Sequence, residues 1–102
     1  MNNYKKIRMS IRGKKYTLLV ANTHKKKRIG MKIFKEKPEG IGMIFTYSEP
    51  VRHSFTMEGV KFPLTIMFFD SSNRLIDAFD CRPGQKNISV NKQFSYVVEI
   101  PR

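Results

Sequence analysis

Lys14-Lys-Tyr-Thr-Leu-Leu-Val-Ala21 is the stretch from which the fold can be read. Tyr16, Leu18 and Val20 alternate with Thr17, Leu19 and Ala21, the period-two pattern of a strand with one face more buried than the other. Tyr4 to Ser10 reads as a second strand, and Arg12-Gly13 is the turn expected between them. Beyond Pro38-Glu-Gly-Ile-Gly42, further β-type runs follow: Met43 to Tyr47, Arg52 to Met57, Leu64 to Phe69, Leu75 to Asp80 and Phe94 to Ile100. Glu49-Pro50, Glu58-Gly59, Asp70-Ser-Ser-Asn73 and Arg82-Pro-Gly84 punctuate them. The expected fold is mainly β: a small β-sandwich or barrel-like domain with one short amphipathic helix.

That helix falls on the dozen residues after Asn22 and Thr23, both good N-caps. Arg28, Lys32 and Lys35 lie at helical spacing on one side, with Ile29, Ile33 and Phe34 on another. Lys25-Lys26-Lys27-Arg28 at its start is electrostatically awkward, because cations are disfavoured at the positive end of a helix dipole. An anionic neighbour would relieve that cost.

With 102 residues the chain is expected to form one domain, and its 40% apolar content supports one modest core. Phe45, Phe55, Leu64, Ile66, Phe68, Val98 and Ile100 are the expected core residues. No apolar run is long enough to span a membrane, and no apolar segment follows the basic N-terminus as a signal peptide requires. The one cysteine, Cys81, excludes an internal disulfide, and with only His24 and His53 beside it a zinc site is not expected. These features point to a reducing, cytoplasmic setting, with no metal and no cofactor.

Charge is the most informative property. Residues 1–37 hold thirteen Lys or Arg and a single acid, Glu36, whereas residues 38–102 hold seven of each sign. The whole net charge of +12 therefore sits on the first third of the chain. A field so concentrated attracts polyanions and speeds association with them.

His53-Ser-Phe-Thr-Met57, followed by Phe62-Pro-Leu-Thr-Ile66-Met-Phe-Phe-Asp70, resembles the hallmark of the family called domain of unknown function 192, known from bacteria, archaea and phages. That hallmark runs Phe-Trp-Met-Lys-Asn-Thr, two residues, then Pro-Leu-Asp-Ile. Phe55, Met57, Pro63, Leu64 and Ile66 match it at the correct spacing. Gly42-Met-Ile-Phe45, Ala21-Asn-Thr23 with Lys27, Gly30 and Met31, and Tyr96-Val-Val-Glu99-Ile100 resemble other family segments, in order. The hallmark's polar positions differ: Thr56 stands for Trp, Glu58 for Lys, Gly59 for Asn, Val60 for Thr and Thr65 for Asp. The resemblance implies a mainly β domain with one helix, and a phage or virion accessory role is one setting it opens. It implies only a vestigial pocket at His53, Thr56, Glu58 and Thr65.

No catalytic centre is expected. Asp77 and Asp80, three apart in a strand, should point to opposite faces. His53 is expected as a hydrogen-bonded histidine entering a strand, and Cys81 as an inert thiol. No glycine-rich phosphate loop is present. The chain is thus expected to be a non-catalytic module that docks on an anionic partner, either nucleic acid or an acidic protein surface in a larger assembly. The docking residues are Lys5, Lys6, Arg8, Arg12, Lys14 and Lys15 on the first two strands, and Lys25, Lys26, Lys27, Arg28, Lys32 and Lys35 around the helix. The alternative is a small-ligand or enzymatic pocket near residues 53–65.

Overall fold

The computed structural model describes residues 3–102. Six strands form one sheet: β1 (Lys6–Ile11), β2 (Lys14–Ala21), β3 (Ile41–Val51), β4 (Leu64–Phe69), β5 (Leu75–Cys81) and β6 (Phe94–Pro101), in the order β1-β2-β3-β6-β4-β5. All neighbours are antiparallel except β2 and β3, whose parallel pairing requires a crossover. Helix α1 (His24–Ile29) and a 3-10 turn (Gly30–Ile33) supply it.

Local chemistry accounts for each of these elements. Arg12 and Gly13 both have positive φ, 53° and 81°, which suits the two-residue turn of a right-twisted hairpin. Thr23 caps α1 by accepting a 3.1 Å hydrogen bond from the Lys26 backbone N–H. The helix is shorter than its sequence promises, because Gly30 turns to φ 54° and ends it after six residues. Lys32 consequently lies in the 3-10 turn and Lys35 beyond it, so Arg28, Lys32 and Lys35 do not form one helical stripe.

Two strand boundaries also differ from expectation. β3 runs on to Val51 through Pro50, where the pairing with β6 shifts register between Thr46 and Val51. Residues 52–54 are irregular instead of forming a strand, and Phe55 makes only an isolated bridge to Ile88.

The sheet is apolar on both faces. One face gathers Leu19, Met43, Phe45, Ile66, Phe68, Phe94 and Val97, covered by Met31 from the 3-10 turn and by Met57, Val60, Phe62 and Ile88 from the long connections. The other holds Ile11, Tyr16, Leu18, Ile44, Met67, Val98 and Ile100. Ile11, Arg12 and Tyr16 from the first hairpin line one shallow cleft with Thr65, Asp80 and Ile100. The sheet thus coils in a barrel-like way until distant strands meet across its second face. Of the expected core residues, all are buried except Phe55, which is half-buried at the margin.

Gly42 marks the tightest point on that second face. A Cβ there would press on the Glu99 carbonyl, on Ile100 and on Leu18. Replacing Gly42 with Ala should therefore destabilise the domain by about 1–3 kcal/mol, read as a lower urea midpoint at unchanged slope.

Candidate functional site

A cleft of about 340 Å³ opens on the helix-covered side of the sheet. Its rim carries Lys27 and Arg28 from α1 and Lys32 from the 3-10 turn, and its far lip carries His53, Thr56 and Glu58 from the connection after β3. Phe45, Tyr47 and Phe55 form aromatic walls, and Glu99 of β6 lines the interior.

Glu99 is the unusual member. In register it stands opposite Met43 of β3 and Ile66 of β4, so its side chain points into the first-face core. It is 4% exposed. Among the described residues it has no ion-pair partner. Burial pushes its carboxyl up to about 8 and thus keeps it protonated, as a hydrogen-bond donor, at neutral pH.

Above it the polar groups interlock. The His53 ring places Nδ1 3.2 Å from the Ser54 carbonyl oxygen and Nε2 3.1 Å from the Tyr47 hydroxyl. A carbonyl only accepts, so in the neutral ring Nδ1 carries the proton and Nε2 accepts from Tyr47. Burial raises the Tyr47 phenol above its ordinary value, and nearby Glu99 raises it further, so that O–H donor is retained. The Lys27 ammonium lies 3.9 Å from the centre of the Tyr47 ring, and partial burial lowers its affinity for a proton. His53 also stacks on Phe55, with centroids 5.1 Å apart. Exposed Thr56 closes a short local turn, its Oγ1 accepting from the Glu58 N–H at 3.0 Å.

Three of the four expected pocket residues meet here. Thr65 does not: it pairs with Ile100 and Asp80 on the second face, where its hydroxyl donates to Asp80 at 2.9 Å. Its strand position has the opposite parity to the cleft-facing side chains, so the hallmark position it occupies cannot reach them. Asp80 in turn lies 3.5 Å from Arg102. Asp77 and Asp80 stand opposite Phe68 and Thr65, on different faces as expected. Cys81 is fully buried, and burial, reinforced by Glu99 and Asp80, holds its thiol up at about 11.

The basic residues divide between the sides of the sheet. Lys6, Arg8 and Lys15 share the side of Leu19 and Thr17, the face that Met31 of the 3-10 turn covers, whereas Lys14 stands opposite Ile11 on the other side, over the Tyr16 ring. Lys26 is tied down, donating to the Asn3 carbonyl at 2.7 Å and lying over the Tyr4 ring. Lys5 is exposed before β1, Arg12 sits in the hairpin turn, and Lys25 and Lys35 are exposed on α1 and after the 3-10 turn. Of the basic residues, Lys27, Arg28 and Lys32 therefore share the cleft with the hallmark segment, and the others lie outside it. The sequence assigns Glu99 no site role; its signals are a lone carboxylate inside the apolar run Tyr96–Ile100 and the resemblance of that run to a family segment.

A single coiled sheet with a helix-rimmed cleft is thus the class that fold and site define. The chain belongs to the family described as uncharacterized ACR, domain of unknown function 192, whose model matches residues 7–102. No match was found among curated proteins. Two crystal structures are similar. One is a protein of unknown function from Novosphingobium aromaticivorans, with a TM-score of 0.78 and 19% identity over 96% of this chain and 73% of that one. The other is a proposed transcription regulator from Sinorhizobium meliloti, with a TM-score of 0.78 and 20% identity over 96% of this chain and 81% of that one. At these identities the likeness concerns the fold alone.

The Glu99 carboxyl gives stability an unusual pH dependence. Between its ordinary value of 4.5 and its folded value of about 8, the unfolded chain releases a proton that the folded chain keeps. Stability should therefore fall as pH rises through that window, on the order of 3–5 kcal/mol at about 1.4 kcal/mol per pH unit. Glu99→Gln should flatten the fall, as measured by urea unfolding at pH 5 and pH 8. Parallel profiles for the two proteins would mean that Glu99 titrates normally.

Proposed function

We propose that this domain is a non-catalytic binding module and that the cleft above Glu99 takes a small organic anion. The observation that carries the reading is the buried carboxyl of Glu99, without an ion-pair partner among the described residues, inside a cleft rimmed by Lys27, Arg28 and Lys32. Burying a carboxyl without a countercharge costs stability, and a carboxyl that also lines a cleft is available to an occupant. The rim cations fit a carboxylate or phosphate, the aromatic walls fit a flat apolar body, and protonated Glu99 fits a hydrogen-bond acceptor at the inner end. At about 340 Å³ the cleft suits a ligand of metabolite size.

A second reading is docking of the basic third on an anionic macromolecule. It is favoured by the shared side of Lys6, Arg8 and Lys15 with α1, which extends the positive field of the rim across the sheet. Complementary charge would steer such an encounter without any sequence motif.

Benzoate and phenyl phosphate serve as probes of the cleft in an NMR titration at pH 7. The expected result is shifts confined to Tyr47, His53, Thr56 and Glu99, at least tenfold weaker binding in Arg28→Glu/Lys32→Glu, and a smaller loss in Glu99→Ala. Shifts scattered over the lysines of β1 and β2 with none in the cleft would overturn the pocket reading, as would no response to either probe.

A further inference from the structure

The outer strand β1 is an edge of the sheet. It lies at one end of the sheet order, with β2 on its inner side only. The phase of that pairing is set by the Val20 N–H, which donates to the Lys5 carbonyl at 2.9 Å. Residues 5, 7, 9 and 11 consequently turn their backbone groups toward β2, and the N–H and C=O of Lys6, Arg8 and Ser10 point away from the sheet. The side chains sort by the same period. Lys6 and Arg8 stand on the side of Leu19 and Thr17, whereas Ile7 and Met9 stand on the side of Leu18 and Tyr16. Ile7 is 39% exposed, one of two large apolar side chains so open among the described residues. Neither β1 nor β2 contains an acid that would neutralise these cations.

We propose that β1 is a docking edge for an extended acidic protein segment, which adds a seventh strand with its acids facing Lys6 and Arg8 and its apolar residues facing Ile7 and Met9. This rests on the second reading above, docking on an anionic macromolecule, and names the partner. Each free residue of the edge offers both a donor and an acceptor, as another peptide strand does. A nucleic-acid backbone only accepts through its phosphates, so it would leave the carbonyls of Lys6, Arg8 and Ser10 unmet. A second copy of this chain fits poorly. Its own β1 would bring like charges together, and its other edge, β5, carries Asp77 and Asp80 on opposite faces.

The test is fluorescence anisotropy with a labelled peptide alternating Glu and Val over seven residues, with a block isomer of the same composition and with duplex DNA, each at about 0.15 M salt. The alternating peptide should bind at least tenfold tighter than its isomer. Ser10→Pro keeps the charge and the β1–β2 ladder but deletes one outward N–H, and should weaken binding about fivefold. Lys6→Glu/Arg8→Glu, which leaves the backbone edge intact, should abolish it. Equal binding of the two peptides, or an unaltered affinity in a Ser10→Pro variant with native circular dichroism, would overturn the docking edge and leave general polyanion binding standing. Tight DNA binding without peptide binding would replace it with a nucleic-acid partner, and no binding of any of the three would remove both readings.

Discussion

Everything in this domain hangs on the insertion of the last strand between the third and the fourth. β6 pairs with β3 on one side and β4 on the other, and Val97, Val98, Glu99 and Ile100 are all buried. Without it the hairpin β1–β2 with β3 and the hairpin β4–β5 are separate pieces with no shared hydrogen bonds between strands. The two cores meet through this strand as well, since Val97 packs into one face and Val98 into the other. Such non-local pairing carries a loop-closure cost before any contact rewards it, which places the domain among slower-folding β topologies. Val97 to Ile100 therefore lie where burial is deepest, and a carboxylate there stands out.

That constraint explains how the cleft is assembled. Glu99 arrives on the central strand, Phe45 and Tyr47 on its β3 neighbour, and the cations on the crossover that joins β2 to β3. The crossover must be compact to lie over the sheet, and Gly30 makes it so. A side chain there would touch the Phe45 ring, and the positive φ redirects the chain from α1 into the 3-10 turn. Gly59 does the corresponding work on the opposite lip, where the aliphatic stem of Lys32 lies across the space a Cβ would fill. Lys32 is thus placed by backbone geometry and van der Waals contact, and Lys27 by its seat over the Tyr47 ring, without a salt bridge among the described residues.

The sequence was most legible where a single physical cause decided the outcome. The alternation in Lys14–Ala21, the Arg12-Gly13 turn and the apolar runs of β4 and β6 all reflect period-two burial, and each became a strand or turn close to its expected limits. Legibility failed where competing causes met. The helical spacing of Arg28, Lys32 and Lys35 is real in sequence, yet one glycine at positive φ overrode it. Thr65 shares a hallmark with His53 and Thr56 but sits on a regular strand whose parity sends it to the other face. Glu99 was passed over because its meaning depends on β6 being central, and strand order is not written in any local pattern.

The departures from the family hallmark take on a different sense once the backbone is known. Gly59, where the hallmark has Asn, adopts φ 82°, the left-handed region that Asn tolerates better than most residues and Gly enters freely. That exchange conserves the turn and removes a side chain from the path of Lys32. Thr56 and Glu58, in place of Trp and Lys, make a short hydrogen-bonded turn that leaves the lip open. This lip therefore carries no cation, and Lys27, Arg28 and Lys32 supply the positive charge on the other. The cations that rim the cleft thus lie in the basic third of the chain, which carries the entire net charge.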